Sequence, residues 1–149
     1  MKKVLLIALT LMICAACLTS CASIEQEIGK KVSVAAVEAV AAGLEEQGVA
    51  YQLADEAELA EIEAEIASQL ENGLQGELTA AIVQEYADTE TGDWTLYWVY
   101  GFSSTADAEA YAQLVTQGYQ ALIDEGKAIV VMGGYIVSVT ASSMVIEQE

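Results

Sequence analysis

Histidine, arginine and proline are missing altogether from this 149-residue chain, and its five lysines face 23 aspartates and glutamates. Each absence removes a kind of chemistry. Without histidine, the commonest general base near neutral pH and the commonest metal ligand are gone. Without arginine there is no planar, bidentate clamp for a phosphate or carboxylate. A formal net charge of −18 repels polyanions. Nucleic-acid affinity rests on Lys and Arg neutralising phosphates, and adhesion to anionic lipid headgroups needs the same cations. No nucleic-acid partner is expected, and any membrane contact must be hydrophobic or covalent. Apolar residues make up 54% of the chain, and a chain of this length buries about two-thirds of its unfolded surface. A packed core is therefore expected rather than disorder.

Cysteine is scarce and oddly placed, since Cys14, Cys17 and Cys21 all fall in the first 21 residues. That segment has three zones: a cationic start, Met1-Lys2-Lys3; an apolar run from Val4 to Leu18 in which only Thr10 is polar; and then Leu18-Thr19-Ser20-Cys21. This is the layout of a secretory signal. Fifteen helical residues rise about 22 Å, short of the roughly 30 Å of bilayer hydrocarbon, so a permanent span is the weaker reading.

Leu18-Thr19-Ser20-Cys21 resembles the lipobox of bacterial lipoproteins: a branched apolar residue, two small ones and the acceptor cysteine. The resemblance covers residues 1–21 only. It implies a signal peptide over 1–20, a diacylglyceryl group on the Cys21 thiol, cleavage before Cys21 and acylation of the new amino terminus by chains such as palmitate. Two or three acyl chains, at about 0.8 kcal/mol per buried CH₂, hold a small domain at a membrane. The membrane is then a partner through lipid alone. Ala22 stands where many such proteins of Gram-negative cells carry the aspartate of inner-membrane retention, so the resemblance implies the outer membrane in such an organism. Cys17 offers a second acceptor, with Cys14 in place of the leucine. A plain secretory signal or an uncleaved anchor is the alternative. With Cys14 and Cys17 removed and Cys21 acylated, the domain has no thiol and no disulfide, and packing alone must stabilise it.

Residues 21–31 read as a tether and 32–149 as a single α+β domain with its core in 49–142. Val34, Val37, Ala41 and Leu44 are spaced as one helix face over Val32–Glu46, stopped by Gly48. Val49–Leu53 alternates as a short strand. Asp55 and Glu58 form a capping box for a helix with Leu59, Ile62, Ile66 and Leu70 on one face. Two strands, Glu77–Ala87 and Asp93–Phe102, flank a turn-rich run. Ser104, with Asp107 three residues on, caps a helix over Thr105–Glu125, and strands on either side of Gly133-Gly134 close the chain. The order β-α-β-β-α-β suggests a ferredoxin-like sheet with both helices on one face, plus the N-terminal helix and a terminal hairpin.

Trp94, Tyr97, Trp98, Tyr100 and Phe102 crowd one predicted strand. Alternation places Trp94, Leu96, Trp98, Tyr100 and Phe102 on one face and Thr95, Tyr97 and Val99 on the other. With Tyr86 beside them, Tyr97 and Val99 make a candidate interaction surface; the plain alternative is a core face covered by the N-terminal helix. Asp88, Glu90 and Asp93 around Gly92 gather hard oxygen ligands in one turn, a weak Ca²⁺ candidate, since no bidentate glutamate follows at the required distance. Glu56, Glu58, Glu61, Glu63 and Glu65 read as a solvated outer helix face. His- or Cys-based metal sites are excluded, no cofactor is expected, and catalysis is narrowed to a carboxylate pair or a Ser/Lys dyad in which Lys127 is the one lysine inside the domain. The sequence therefore points to a non-catalytic, lipid-anchored binding module of the cell envelope with an envelope protein as partner. A small-ligand or cation-binding lipoprotein is the alternative, and a small carboxylate-dependent hydrolase comes last.

Overall fold

The computed structural model of the chain describes residues 24–146 with their side chains; Cys21 and the lipobox lie outside the described residues. The elements run α1 (Lys2–Glu46), β1 (Gln52–Leu53), α2 (Glu56–Gln69), β2 (Leu78–Ala87), β3 (Trp94–Phe102), α3 (Thr105–Gly118), α4 (Gln120–Asp124), β4 (Ala128–Gly133) and β5 (Ile136–Ser142). This is an α+β fold on one five-stranded antiparallel sheet, ordered β1-β2-β3-β5-β4.

Local chemistry explains most boundaries. Asp55 and Glu58 close a reciprocal capping box at the start of α2, which satisfies two of the orphan amides of a helix end. Gly92 and Gly134 sit at φ +77° and +63° in the two hairpin turns, a region in which a side chain is strained. The Ser104 hydroxyl caps α3, but the Asp107 carboxylate does not reach back to complete a capping box. It is 2% exposed and accepts from Gln75 N and Gly76 N, each at 2.8 Å, so it ties the loop before β2 to α3.

The strand order departs from the ferredoxin-like expectation. That layout is a split βαβ, with a strand inserted between the two that a helix connects. β3, α3 and β4 meet the rule, because β5 lies between β3 and β4. β1 and β2 do not: though joined by α2, they are direct antiparallel neighbours, with Gln52 opposite Val83 and Leu53 opposite Ile82. β1 is only two residues long and holds the edge of the sheet. The expected helix over Thr105–Glu125 is likewise interrupted at Tyr119, whose backbone leaves helical geometry (φ −104°, ψ 12°) just after Gly118, the weakest helix former in the run.

The two faces of the sheet are covered differently. Val37 and Ala41 of α1 pack on Ile82 and Val99, while α2 and α3 pack Ile66, Ala108, Tyr111 and Val115 against Leu78, Trp98, Phe102, Val137 and Val139. Each large apolar side chain so buried contributes about 1.5–3 kcal/mol. The residues expected as a tether are part of this packing from Gly29 onward. Gly29, Ser33, Val37 and Ala41, four apart, are the buried stripe of α1, and a stripe at that spacing is a ridge along the helix. A Cβ on Gly29 would run into the carbonyl oxygen of Ser103, and one on Gly101 below would come within 3.1 Å of Ser33 Cβ. The Ser33 and Thr79 hydroxyls bond at 2.6 Å, and Lys30 pairs with Glu77 at 3.0 Å. Small residues thus let α1 lie directly on the strands. Among the described residues no helix is long and apolar enough to cross a membrane.

Candidate functional site

Where α1 meets the sheet through small side chains, α2 and α3 meet it through large ones. β3 supplies Trp98, Tyr100 and Phe102 to that face, and α3 supplies Tyr111. The break after Gly118 turns Tyr119 down onto Trp98. The rings form a continuous chain: Tyr119 to Trp98 at 5.8 Å between centroids, Trp98 to Tyr100 at 6.4 Å, Tyr100 to Tyr111 at 5.4 Å and Tyr111 to Phe102 at 5.5 Å, all tilted. Tilted contacts set the positive edge of one ring against the negative face of the next. Trp98 Nε1 donates to the Tyr111 hydroxyl at 2.9 Å in the buried interior, which fixes both rings.

The chain is sealed at one end and open at the other. Phe102 is fully buried, but toward Tyr119 a cleft of about 280 Å³ opens between α2 and the sheet, walled by Trp98, Tyr100, Tyr111, Tyr119, Ile62 and Leu96, with Glu65 and Glu85 also lining it. Both carboxylates are exposed. Burial, reinforced by the Glu65 carboxylate and by Tyr119, pushes the Tyr100 phenol up to about 12. Burial raises Tyr111 further, with Tyr100 adding to the effect and the Trp98 donation opposing it. With their pKa values raised, the Tyr100 and Tyr111 phenols are neutral at physiological pH. The cleft therefore offers aromatic faces, phenol dipoles and carboxylates, and no cationic side chain is among its lining residues. A larger depression of about 360 Å³ beside it is lined by Gln69, Asn72, Gln75, Asp107, Gln113 and their neighbours. Its one buried charge, Asp107, is already occupied by two backbone amides.

The residues singled out from sequence fare unequally. Register puts Tyr86, Tyr97 and Val99 on the α1 side of the sheet, opposite Thr95, Gln84 and Ile82 respectively. They do not form one exposed surface. Val99 is fully buried beneath α1, whereas Tyr86 is 62% exposed at the hairpin end. Tyr97 is half-buried and its phenol is raised by that burial. The alternative raised from sequence, a core face covered by the N-terminal helix, holds at Val99 and not at Tyr86. In the Asp88 turn the carboxylate accepts from Glu90 N at 2.8 Å and Thr91 N at 3.2 Å, bonds that hold its pKa below the usual carboxylate range. Asp93 accepts from the Ser143 hydroxyl at 3.3 Å, and Glu90 is exposed. Among the described residues no three acidic side chains come together as a metal-binding group.

Sequence reasoning overlooked Tyr119, Glu65 and Glu85 as parts of one site. The only early signal was Gly118, the residue at which the helix fails. The acidic face of α2 is also less uniform than its spacing suggests: Glu58 caps the helix, Glu63 accepts from Leu78 N at 2.8 Å, and Glu65 borders the cleft. Compared with protein-family models, with curated proteins and with solved structures, the chain finds no match in any of the three.

Proposed function

We propose that the chain is a lipid-anchored, extracytoplasmic, non-catalytic binding module of the cell envelope, held by Cys21 and recognising its target through the aromatic cleft between α2 and the sheet. The cleft carries the reading. Aromatic side chains in a solvent-open hollow are the kind of surface that binding sites use, and the opposite face of the same sheet is closed by α1. The leader supports the location, since its zones and Leu18-Thr19-Ser20-Cys21 match what lipid attachment needs. The packing of α1 into the domain from Gly29 onward supports a short connection between anchor and cleft. In a Gram-negative cell the anchor would lie in the outer membrane.

The location is tested by metabolic labelling with a clickable fatty acid. Wild-type protein is expected to be labelled and to fractionate with membranes, and Cys21→Ser to be unlabelled and soluble. Equal absence of label in both would overturn it. The binding role is tested by capture from envelope extract: Trp98→Leu with Tyr100→Leu should lose partners that Tyr86→Ala retains, and an unchanged set would sink the cleft as the recognition surface.

A further inference from the structure

Taking the cleft as the binding site proposed above, we infer that its ligand is a small organic ammonium ion, either a quaternary ammonium or a lysine-like alkylammonium group, and that Glu65 and Glu85 select for that charge. Two features of the cleft lead to this class. The rings of Trp98, Tyr100 and Tyr119 line the hollow, and an aromatic ring attracts a cation placed over its face at about 0.5–2 kcal/mol, increasing with desolvation. Glu65 and Glu85 add two negative charges to the lining, and among the described residues neither is ion-paired, the two salt bridges being Lys30–Glu77 and Lys127–Glu125. An anion would be repelled by both carboxylates and would find no cationic side chain among the lining residues.

Size and donor chemistry narrow the cation further. A hollow of about 280 Å³ is at the small end of ligand cavities, suited to a head group rather than a chain. A hard metal ion is a poor fit, because Ca²⁺ takes six to eight oxygen ligands and most of this wall is ring and aliphatic carbon. An alkylated ammonium has an apolar periphery that packs on rings while its charge stays within reach of the rim carboxylates. The overall charge of −18 also steers cations toward the protein.

The test uses the full chain with Trp94→Phe, which leaves Trp98 as the only tryptophan and its fluorescence as the reporter. Choline and N-acetyl-lysine amide are titrated in parallel with 3,3-dimethyl-1-butanol, the neutral isostere of choline. Saturable change with at least one ammonium and none with the alcohol is expected. Choline alone would indicate a free quaternary ammonium; the lysine amide alone would indicate a partner's side chain. Glu65→Gln with Glu85→Gln, both at exposed positions, should weaken the response on the order of fivefold with melting unchanged. An equal response to the alcohol overturns the ammonium assignment but keeps the cleft as a binding site. No response to either ammonium in a protein of normal melting temperature overturns the assignment as well, while the labelling and capture experiments judge the broader reading separately.

Discussion

The sheet is covered by one helix on one side and chiefly by two on the other, and the sizes of the side chains at the two contacts explain why the aromatic cleft opens under α2 and not under α1. Under α1 the partners are Gly29, Ser33, Val37 and Ala41 against Gly101, Val99 and Ile82. Short side chains let the layers approach and exclude water. Under α2 and α3 the partners are Trp98, Tyr100, Phe102 and Tyr111, and rings of that size hold the helices off the strands. Close packing is recovered only where another ring fills the gap, as Phe102 does at the sealed end. The cleft is what remains where none does.

The contrast can be broken most severely at its sealed end. Phe102→Ala removes a fully buried ring and should cost about 4 kcal/mol, read as a lower urea midpoint with an unchanged slope. Next comes the tight side: Gly29→Val drives a side chain into the Ser103 carbonyl and should cost about 3 kcal/mol, with α1 becoming sensitive to proteolysis. Alkaline pH acts on both faces with a smaller effect. Tyr100, raised to about 12, and Tyr97, raised by burial, both have folded pKa values above the ordinary 10.0. Their neutral forms therefore stabilise the fold fully below pH 10, and that contribution is lost as pH climbs from 10 toward 12. Urea midpoints should be flat from neutrality to pH 10 and fall beyond it. Tyr100→Phe should reduce the fall without abolishing it, because Tyr97 and Tyr111 still titrate. The smallest change belongs to the open side. Val83→Ile enlarges a residue lining the cleft and should shift stability by less than about 0.5 kcal/mol, measured by the same melts. A cost comparable with that of Gly29→Val would mean the cleft is closed in solution.

What could be read from the chain beforehand was whatever short-range chemistry decides. β2 and β3 begin and end within a residue of the alternating runs that suggest them. Asp55 and Glu58 announce their cap, and Gly92 and Gly134 fall where the turns need positive φ. What could not be read depends on distant partners. Gly29 looks like a linker residue, and Ser33 like any position of the N-terminal helix, until the strands carrying Gly101 and Thr79 are placed beneath them. Alternation leaves open whether Val99 is exposed or covered by the N-terminal helix until α1 is laid over it, and Tyr119 looks like one more helical residue until Trp98 gives it a reason to leave the helix. The cleft itself joins side chains from α2, β2, β3 and α3 that no spacing rule connects. The strand order was lost for a similar reason, since the ferredoxin-like pattern and the observed one share a string of elements and differ in whether β1 pairs directly with β2.

β4 ends the sheet with Val131 and Met132 more than 40% exposed, and no proline or arginine is available anywhere to guard that border. An uncovered ladder of amides is a template for another chain, so the abundant carboxylates do a colloidal job: they keep like molecules from zipping edge to edge. Acidification toward the isoelectric point near 4.1 would remove that mutual repulsion and leave β4 ready to pair with β4 of a neighbour, so crowding at an acid-exposed surface is the condition under which this fold becomes sticky.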